Sequence, residues 1–480
     1  MDLSWVDQLS QYAKMQRLSY FDPNGNSSPI ASFKKYSRDD ILGYLQNPAR
    51  NASRIIDASI YLYSTVTLYQ RLCKYFADMP TYDYIVAPTK LKDGDLSTAD
   101  AVKYRKQYFK VLSTLENMNI KKHANIMAKV AMREGAFFGV EVSTSDSYTI
   151  YRFPHDYCRV TSDEDGCPMF SVDLSYFDQR PMVIETMGGE MQTAYNAYKN
   201  TNGQRWYEPS SGIQVCILAD ESLDYIVPPL SGCFADLYLI DNYKDMASAK
   251  TAIEIYKLIC MKLPTNKDGD VRVDDAIATK FYNQVASQLP DQIGLGMSPF
   301  EISEVSFNRS TADADTTARA ERDLFASIGV SQMIFSNEIA SSTALVKSLC
   351  NDFSYVAPII RSIEAWLNRK LKQMSGSIKY KVIMPDVTMY NRADYAESIR
   401  KDMQYGVPCK GLLAAVNYGY TPMDTYGLTF LENQVLDYPN TFVPPQSANT
   451  QSSDEGGRPA ITGDGISDEG DATREADKNA

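Results

Sequence analysis

Histidine, paired cysteine motifs and long apolar runs are scarce or missing in this sequence. The 480 residues include only two histidines, His123 and His155, which argues against a histidine-based metal site or catalytic triad. None of the eight cysteines belongs to a C-x-x-C pair, and several, such as Cys73 and Cys350, fall in apolar patterns. We therefore expect buried free thiols in a reducing cytosol. No window approaches 18 consecutive apolar residues and the N-terminus lacks a basic start, so neither a transmembrane helix nor a signal peptide is expected.

Short catalytic signatures are missing too. The sequence contains no Walker-A motif, no G-x-G-x-x-G and no G-x-S-x-G. The paired carboxylates Asp39 and Asp40 fall in the first turn of a predicted helix, where acidic side chains stabilise the helix dipole. The turn Asp163 to Gly166 resembles a calcium loop only faintly, because the other ligand positions and the closing Glu are absent, and it predicts a β-hairpin instead. We expect no catalytic residues, no metal and no cofactor, although a carboxylate site assembled from distant positions remains an alternative.

Acidic residues outnumber basic ones, 60 to 48, and the net charge is −12. A protein that grips DNA through its phosphates is normally basic. Two interpretations stay open on charge alone. The acidity serves solubility, or it provides a surface past which DNA moves without sticking.

Helical periodicity dominates the stretch from Leu230 to Gln373. Apolar residues recur every three or four positions through Leu237–Lys262, which predicts one long helix. A second helix is predicted over Thr311–Ile328, and its Ser310 and Asp313 have the spacing of a capping box. Between the two helices lies a mixed segment with turn signals and a strand-like run, Ile293–Met297.

A third helical pattern follows and contains a proline. One apolar face runs from Leu345 to Leu371, and Pro358 stands in its middle. An interior proline costs about 3 kcal/mol, yet the face stays in phase on both sides. The pattern therefore predicts one helix bent at Pro358.

The N-terminal and C-terminal parts read as mixed helix and strand. Asn47-Pro48 opens a predicted helix that continues through Phe76. Further on, the periodicity changes from 3.6 to 2 and predicts antiparallel strands from Phe137 onwards. The stretch Gln446–Ala480 is acidic with almost no large apolar side chains, which predicts disorder.

Two segments resemble the portal, or head–tail connector, proteins of tailed bacteriophages. The stretch FASIGVSQMIFSNEIASSTALVKSLCNDFSYVAPIIRSIEAWLN, Phe325–Asn368, is similar to that family's pattern of Phe, a Gly-hydrophobic-Ser step, an Asn/Ser-rich loop and a long amphipathic helix. The segment DMPTYDYIV, from Asp78, resembles the family's Pro-x-Tyr step after the first long helix. The resemblance implies an α+β, mostly helical portal fold with wing, stem helices, clip, kinked long helix and helical crown. Its expected regions are 1–229 wing, 230–262 first stem helix, 263–309 clip, 310–328 second stem helix, 329–341 tunnel loop, 342–373 kinked long helix, 374–390 wing strands, 391–444 crown and 445–480 disordered acidic tail.

The resemblance also implies which residues face DNA. A tunnel loop protruding toward translocating DNA is expected to contain Gln332, Met333, Ile334, Phe335, Ser336, Asn337 and Glu338. Read from the residues alone, this loop is a buried helix–helix corner. Basic residues expected on the stem helices, and possible channel-lining groups, are Lys244, Lys250, Lys257, Arg319 and Arg322. Acidic neighbours at three- and four-residue spacings make ion pairs within each helix the alternative.

The function that the resemblance implies is structural. The chain would form a ring, usually of twelve subunits, at one capsid vertex of a virion assembled in the host cytoplasm. The ring would be the channel for DNA packaging and ejection, passing double-stranded DNA without sequence specificity. Expected partners are the terminase large subunit, a head–tail adaptor or neck protein, the major capsid protein and a scaffold, with no membrane. The alternatives are another oligomeric virion component, such as a minor capsid or neck protein, and an enzyme with an unrecognised site.

Overall fold

The computed structural model describes most of the chain, with gaps. The described residues are 36–89, 97–143, 147–187, 189–201, 203–222, 224–240, 257–262, 277, 280, 284, 293–298, 312–330, 348–374, 376–407 and 409–437. They are mostly helical with four small sheets, which confirms the predicted α+β class. The predicted acidic tail lies outside the described residues.

Side-chain caps set the ends of the first helices. Helix α1 (Arg38–Leu45) opens with a capping box, in which Asp40 N donates to Ser37 Oγ at 3.1 Å and Ser37 N donates to Asp40 Oδ2 at 2.9 Å. Helix α2 (Pro48–Thr65) begins at the predicted Asn47-Pro48 step, with the Asn47 side chain as its cap.

The helix predicted to run on through Phe76 is broken in two. Val66 is extended, with φ −103° and ψ 103°, so a separate helix α3 (Thr67–Asp78) follows α2. Ser64 and Thr65 both donate side-chain hydrogen bonds to carbonyls four residues back. Such back-bonding bends helices, and the β-branched Val66 then favours an extended backbone.

Two helices and two three-stranded sheets form the next part. After β1 (Ile85–Pro88) come α4 (Thr98–Asn117) and α5 (Ile120–Glu134). The first sheet has the order β3 (Tyr148–Phe153), β2 (Ala136–Ser143), β7 (Gln214–Leu218), and the second has the order β4 (Cys158–Glu164), β5 (Cys167–Asp173), β6 (Trp206–Tyr207). All neighbouring strands in these two sheets are antiparallel, as the alternating pattern predicts.

The predicted hairpin between β4 and β5 is confirmed. Asp165 and Gly166 both have positive φ, 61° and 74°, which is the signature of a type I′ turn. Sequence patterning missed the elements after β5, a 3₁₀ segment (Leu174–Gln179) and helix α6 (Pro181–Met187). Helix α7 (Gly189–Thr201) follows them.

The end of the predicted first stem helix is a strand. Residues 234–240 are helical and residues 241–256 lie outside the described residues, but Lys257–Lys262 forms strand β8. Its partner is the parallel strand β9 (Ile293–Ser298), which confirms the strand predicted at Ile293–Met297. The run KLICMK satisfies both helical spacing and strand propensity, and pairing with a distant segment decides between them.

The proline in the third helical pattern starts a helix and does not bend one. Residues 348–352 are helical, Phe353–Tyr355 is a 3₁₀ turn, and helix α9 (Ala357–Gln373) begins afresh with Pro358 in its first turn. The bend expected at Pro358 is therefore wrong. A proline in the first turn lacks only an N–H that would be unpaired in any case, so it costs little there.

The chain returns to its N-terminal part after α9. Strand β10 (Tyr380–Ile383) pairs antiparallel with β1, with Val382 opposite Val86. Beyond β10, an isolated antiparallel bridge joins Pro80 and Thr388. The helical end contains α10 (Arg392–Gln404), α11 (Lys410–Tyr418) and α12 (Pro422–Phe430), then a π-helical turn (Leu431–Val435). The chain divides into two compact units after Thr425.

Among the described residues of the first unit lie two large apolar cores and a small one, Val387, Ala396, Ile399 and Val416. One includes buried side chains of α2, α3 and α5 together with Ile359, Ile363 and Leu367 of α9. The other lies between the strands and helices α6 and α7, around Phe153 and Phe170. Helix α9 also reaches the strands, since Arg369 Nη2 donates to the Gln214 carbonyl at 3.0 Å. Truncating a core side chain such as Leu367 to alanine costs about 2–5 kcal/mol.

Candidate functional site

Helix α8 (Ala312–Ile328) carries the two predicted basic residues whose side chains are described. Arg319 and Arg322 are exposed, whereas Leu324, Phe325 and Ile328 are buried. At 100° per residue, Arg319 lies roughly 120–180° around the helix from the three apolar side chains, whereas Arg322 lies only about 60° from Phe325, at the edge of the buried face. The exposed face also includes the carboxylate of Asp323, so its charge is mixed, as the sequence suggested.

The other three basic residues are not placed on that face. Lys244 and Lys250 lie outside the described residues. Lys257 begins strand β8 and does not lie on a helix. For Lys244 and Lys250, a position on a stem helix together with Arg319 and Arg322 stays a prediction. For Lys257, the predicted position on a helix is wrong.

Helix α8 ends in a well-defined Schellman motif. Gly329 has φ +80°, its N–H donates to the Ala326 carbonyl at 3.2 Å, and the N–H of Val330 donates to the Phe325 carbonyl at 3.1 Å. Phe325 and Val330 are both buried, as the hydrophobic contact of this motif requires. The backbone direction in which the chain leaves α8 is therefore fixed by the helix end itself.

The predicted tunnel-loop residues, Gln332 to Glu338, fall in 331–347, outside the described residues. Both chain ends that flank this segment are described and contact each other. The Tyr355 hydroxyl donates to the Ile328 carbonyl at 2.8 Å, and the Tyr355 ring lies 5.1 Å from that of Phe76 on α3. We call Phe325–Val330 and Asp352–Tyr355, with the α3 rings that they contact, the loop base.

A carboxylate is buried in the loop base. Asp352 is only 1% exposed, and the Tyr75 hydroxyl donates to its Oδ2 at 2.7 Å. Its Oδ1 is buried without a hydrogen-bond partner among the described residues. Burial raises the pKa of Asp352 above its usual range, and the Tyr75 hydrogen bond offsets only part of this effect.

The cysteines mostly follow the sequence expectation. Cys73, Cys167, Cys216 and Cys233 are buried free thiols, and burial raises the pKa of the Cys73 thiol to about 12. A thiol with a raised pKa is a poor nucleophile and a poor metal ligand at neutral pH. Cys350 is exposed, contrary to the expectation from its apolar pattern.

Three ligand-type side chains that sequence reasoning did not connect lie together near the start of β4. His155 Nε2 is 3.0 Å from Asp156 Oδ1 and 3.8 Å from Asp57 Oδ1. Burial by itself lowers the pKa of His155, but Asp156, Glu134 and Asp57 outweigh it and the pKa is raised. The adjacent pair His155-Asp156 is visible in the sequence, whereas Asp57 comes from α2, and no local pattern links the two.

Among the helices that the structure describes, none combines the length and the apolarity that a bilayer crossing requires. No protein-family model matches the chain, and no curated protein matches it. Comparison with solved structures finds a chain of the virion of a native gene transfer agent particle, at 11% identity and TM-score 0.44, covering 80% of this chain and 100% of that one. It also finds a chain from the neck of the native particle computed with C12 symmetry, at 12% identity and TM-score 0.39, covering 76% and 93%. A chain from the neck of the empty particle computed with C6 symmetry matches at 12% identity and TM-score 0.42, covering 76% and 94%.

Proposed function

We propose that this chain is the portal protein of a phage-like particle. It forms a ring at one capsid vertex and provides the channel for DNA packaging and ejection. The same ring docks the terminase large subunit and then a neck adaptor protein. The observation that carries the proposal is the pairing of β10 with β1, together with the packing of α9 in the core that holds α2, α3 and α5. The chain thus packs in one folded body on both sides of residues 241–323, which is where stem and clip would fall in the family that the sequence resembles.

The small parallel sheet supports an assembly of several copies. Strands β8 and β9 pair only with each other among the described residues. A two-stranded sheet is marginally stable on its own, and parallel sheets are normally covered on both faces. Neighbouring subunits of a ring would cover this sheet, and this arrangement makes the segment around β8 and β9 a subunit-contact element.

The charge pattern supports passage of DNA without tight binding. The chain has a net charge of −12, while Arg319 and Arg322 mark one exposed helix face. In a channel lined by many copies, a few arginines among acidic groups give brief phosphate contacts on a wall that otherwise repels DNA. The segment Gln332 to Glu338, held by the loop base at both ends, then reaches toward the DNA.

The first test is the size and shape of the purified protein. Light scattering should give a species of about twelve times the 53.8 kDa chain mass, and negative-stain electron microscopy should show rings with a hole wide enough for duplex DNA. A monomer or dimer at high concentration, still without rings after scaffold or capsid protein is added, would overturn the proposal.

A second test separates the channel from the assembly. The double variant Arg319→Glu/Arg322→Glu should still form rings but should package less DNA, because the charges lie on an exposed face and not in the core. Arg105→Glu, an exposed arginine of α4, is the matched control and should package normally. Equal packaging by the double variant and the control would remove these arginines from the channel.

A further inference from the structure

The side chains of Asp57, His155 and Asp156 come from two separate parts of the chain. Asp57 lies on α2, and His155 and Asp156 lie in the short 3₁₀ turn between β3 and β4. One ligand atom from each residue lies within 4.8 Å of the other two. This is the arrangement from which a metal site is built, provided that the distances, accessibility and charge also fit.

His155 is the group that points to a ligand. Its side chain is 10% exposed, and its Nε2 is shielded from solvent. Although Nε2 lies 3.0 Å from Asp156 Oδ1, it makes no hydrogen bond of acceptable geometry. Nε2 is thus held at ion-pair distance from two carboxylates without a well-aligned hydrogen bond to either, and a cation bound between the three ligand atoms would replace these poorly directed contacts.

The distances suit a small ion. Zn²⁺ binds imidazole nitrogen and carboxylate oxygen at about 2.0–2.1 Å in tetrahedral geometry, which places neighbouring ligand atoms about 3.3 Å apart. The two separations from Nε2, 3.0 and 3.8 Å, lie on either side of that value. Asp57 and Asp156 are 44% and 53% exposed, so the site opens to solvent and a water molecule can complete the coordination.

The surrounding charge and hydrogen bonds fit a cation as well. Ser53 lies on α2, one turn before Asp57. Its Oγ donates to Asp156 Oδ1 at 3.0 Å and so orients the Asp156 carboxylate. Glu134 lies close enough to act on His155, and its own charge is shared with Arg133 and Arg152. Asp57 and Asp156 together place two carboxylates beside the imidazole, and a divalent ion can offset their charge.

We propose that Asp57, His155 and Asp156 bind a divalent transition-metal ion of the zinc type, which ties α2 to the connection between β3 and β4. The imidazole ligand favours Zn²⁺ over Mg²⁺ and Ca²⁺, which prefer all-oxygen sites. The site does not depend on ring assembly or on the proposed function.

The test is Zn²⁺ titration of the full-length protein, stripped with EDTA, by calorimetry and by competition with a chromophoric chelator. The wild type should bind one ion per chain, and its thermal unfolding midpoint should rise with added Zn²⁺. His155→Gln should weaken binding by at least about tenfold, since even outer partners of metal ligands contribute that much. The chain offers a matched control in its other histidine, because His123 packs edge-on to Tyr148 at 5.6 Å and should be replaceable by Gln without loss of binding.

Asp57→Asn keeps the proposal testable if His155→Gln folds poorly. The Asp57 side chain is half exposed, so the variant should fold and still lose affinity. Co²⁺ in place of Zn²⁺ should give the intense visible absorption of a four-coordinate site in the wild type and lose it in both variants. No saturable binding by the wild type, or equal binding by wild type and both variants, would overturn the proposal and leave a histidine held between two carboxylates.

Discussion

Two buried carboxylates in this chain have opposite surroundings. Glu134, at the end of α5, accepts hydrogen bonds from Arg133 and Arg152, with Arg152 Nη2 at 2.7 Å from Oε1 and 2.5 Å from Oε2. Burial alone would raise its pKa, but the two guanidinium groups outweigh burial and hold the pKa below its usual range. Asp352, in the loop base, has only the Tyr75 hydroxyl for Oδ2, and burial raises its pKa.

The negative charge of Glu134 is compensated by two guanidinium groups, whereas that of Asp352 has no positively charged partner among its described hydrogen bonds. The Glu134 group is a buried ion network of α5 and β3, the kind that stabilises only while all its members are present. Asp352 keeps an unsatisfied oxygen at the point where the chain returns from residues 331–347. Unsatisfied buried groups are uncommon and concentrate where a fold serves something other than its own stability.

The largest expected effect comes from opening the Glu134 network. Arg152→Met should lower the free energy of unfolding by about 3 kcal/mol, because it leaves a buried carboxylate with one partner fewer. The measurement is the guanidinium chloride unfolding curve followed by circular dichroism. Arg105→Met, on the exposed face of α4, is the control and should change stability by less than about 0.5 kcal/mol. Equal losses in the two variants would show that Glu134 does not depend on Arg152.

An intermediate effect is expected at the end of α8. Gly329→Ala places a Cβ at φ +80° and should cost about 1–2 kcal/mol, because L-residues avoid the left-handed region. Gly411→Ala is the matched control, since Gly411 lies within α11 and an added Cβ would meet nothing within 4 Å. Alanine is the better helix former, so the control should gain up to about 1 kcal/mol. Thermal unfolding of both variants gives the comparison, and a shift of the same sign in both would contradict the left-handed helix end.

Local sequence signals predicted the starts of α1 and α2 and one turn. These three signals are Ser37 with Asp40, Asn47-Pro48, and the hairpin turn from Asp163 to Gly166. Each depends on interactions between residues a few positions apart, so a short stretch of sequence is enough to predict it. The exposure of Arg319 and Arg322 likewise follows from the helical period alone.

Contacts between distant segments were not predictable in the same way. Strand β8 has helical spacing, and only its pairing with β9 makes it a strand. Pro358 has an in-phase apolar face on both sides, yet the 3₁₀ turn before it breaks the helix. Tyr75 and Asp352 are 277 residues apart, so nothing in either neighbourhood announces their hydrogen bond.

The smallest expected effect is at Asp352, and its pH dependence sharpens the comparison with Glu134. The folded-state pKa of Asp352 lies above its ordinary 3.8, so its charged form opposes folding. That cost is absent below about pH 4 and grows as the pH rises through the raised value. Asp352→Asn should therefore have a higher free energy of unfolding than the wild type at pH 7, by up to about 1 kcal/mol. This difference should vanish near pH 3.5.

Glu134→Gln is the matched counterpart, with the opposite sign. Because the pKa of Glu134 is lowered in the folded protein, its carboxylate contributes fully to stability above about pH 4.5. That contribution is lost as the pH falls through the folded-state pKa. The penalty of Glu134→Gln should therefore be largest at pH 7 and shrink on acidification. Urea unfolding curves at pH 3.5, 5 and 7 for both variants measure the two trends. If both differences from the wild type ran in the same direction with pH, the opposite surroundings of the two carboxylates would be contradicted.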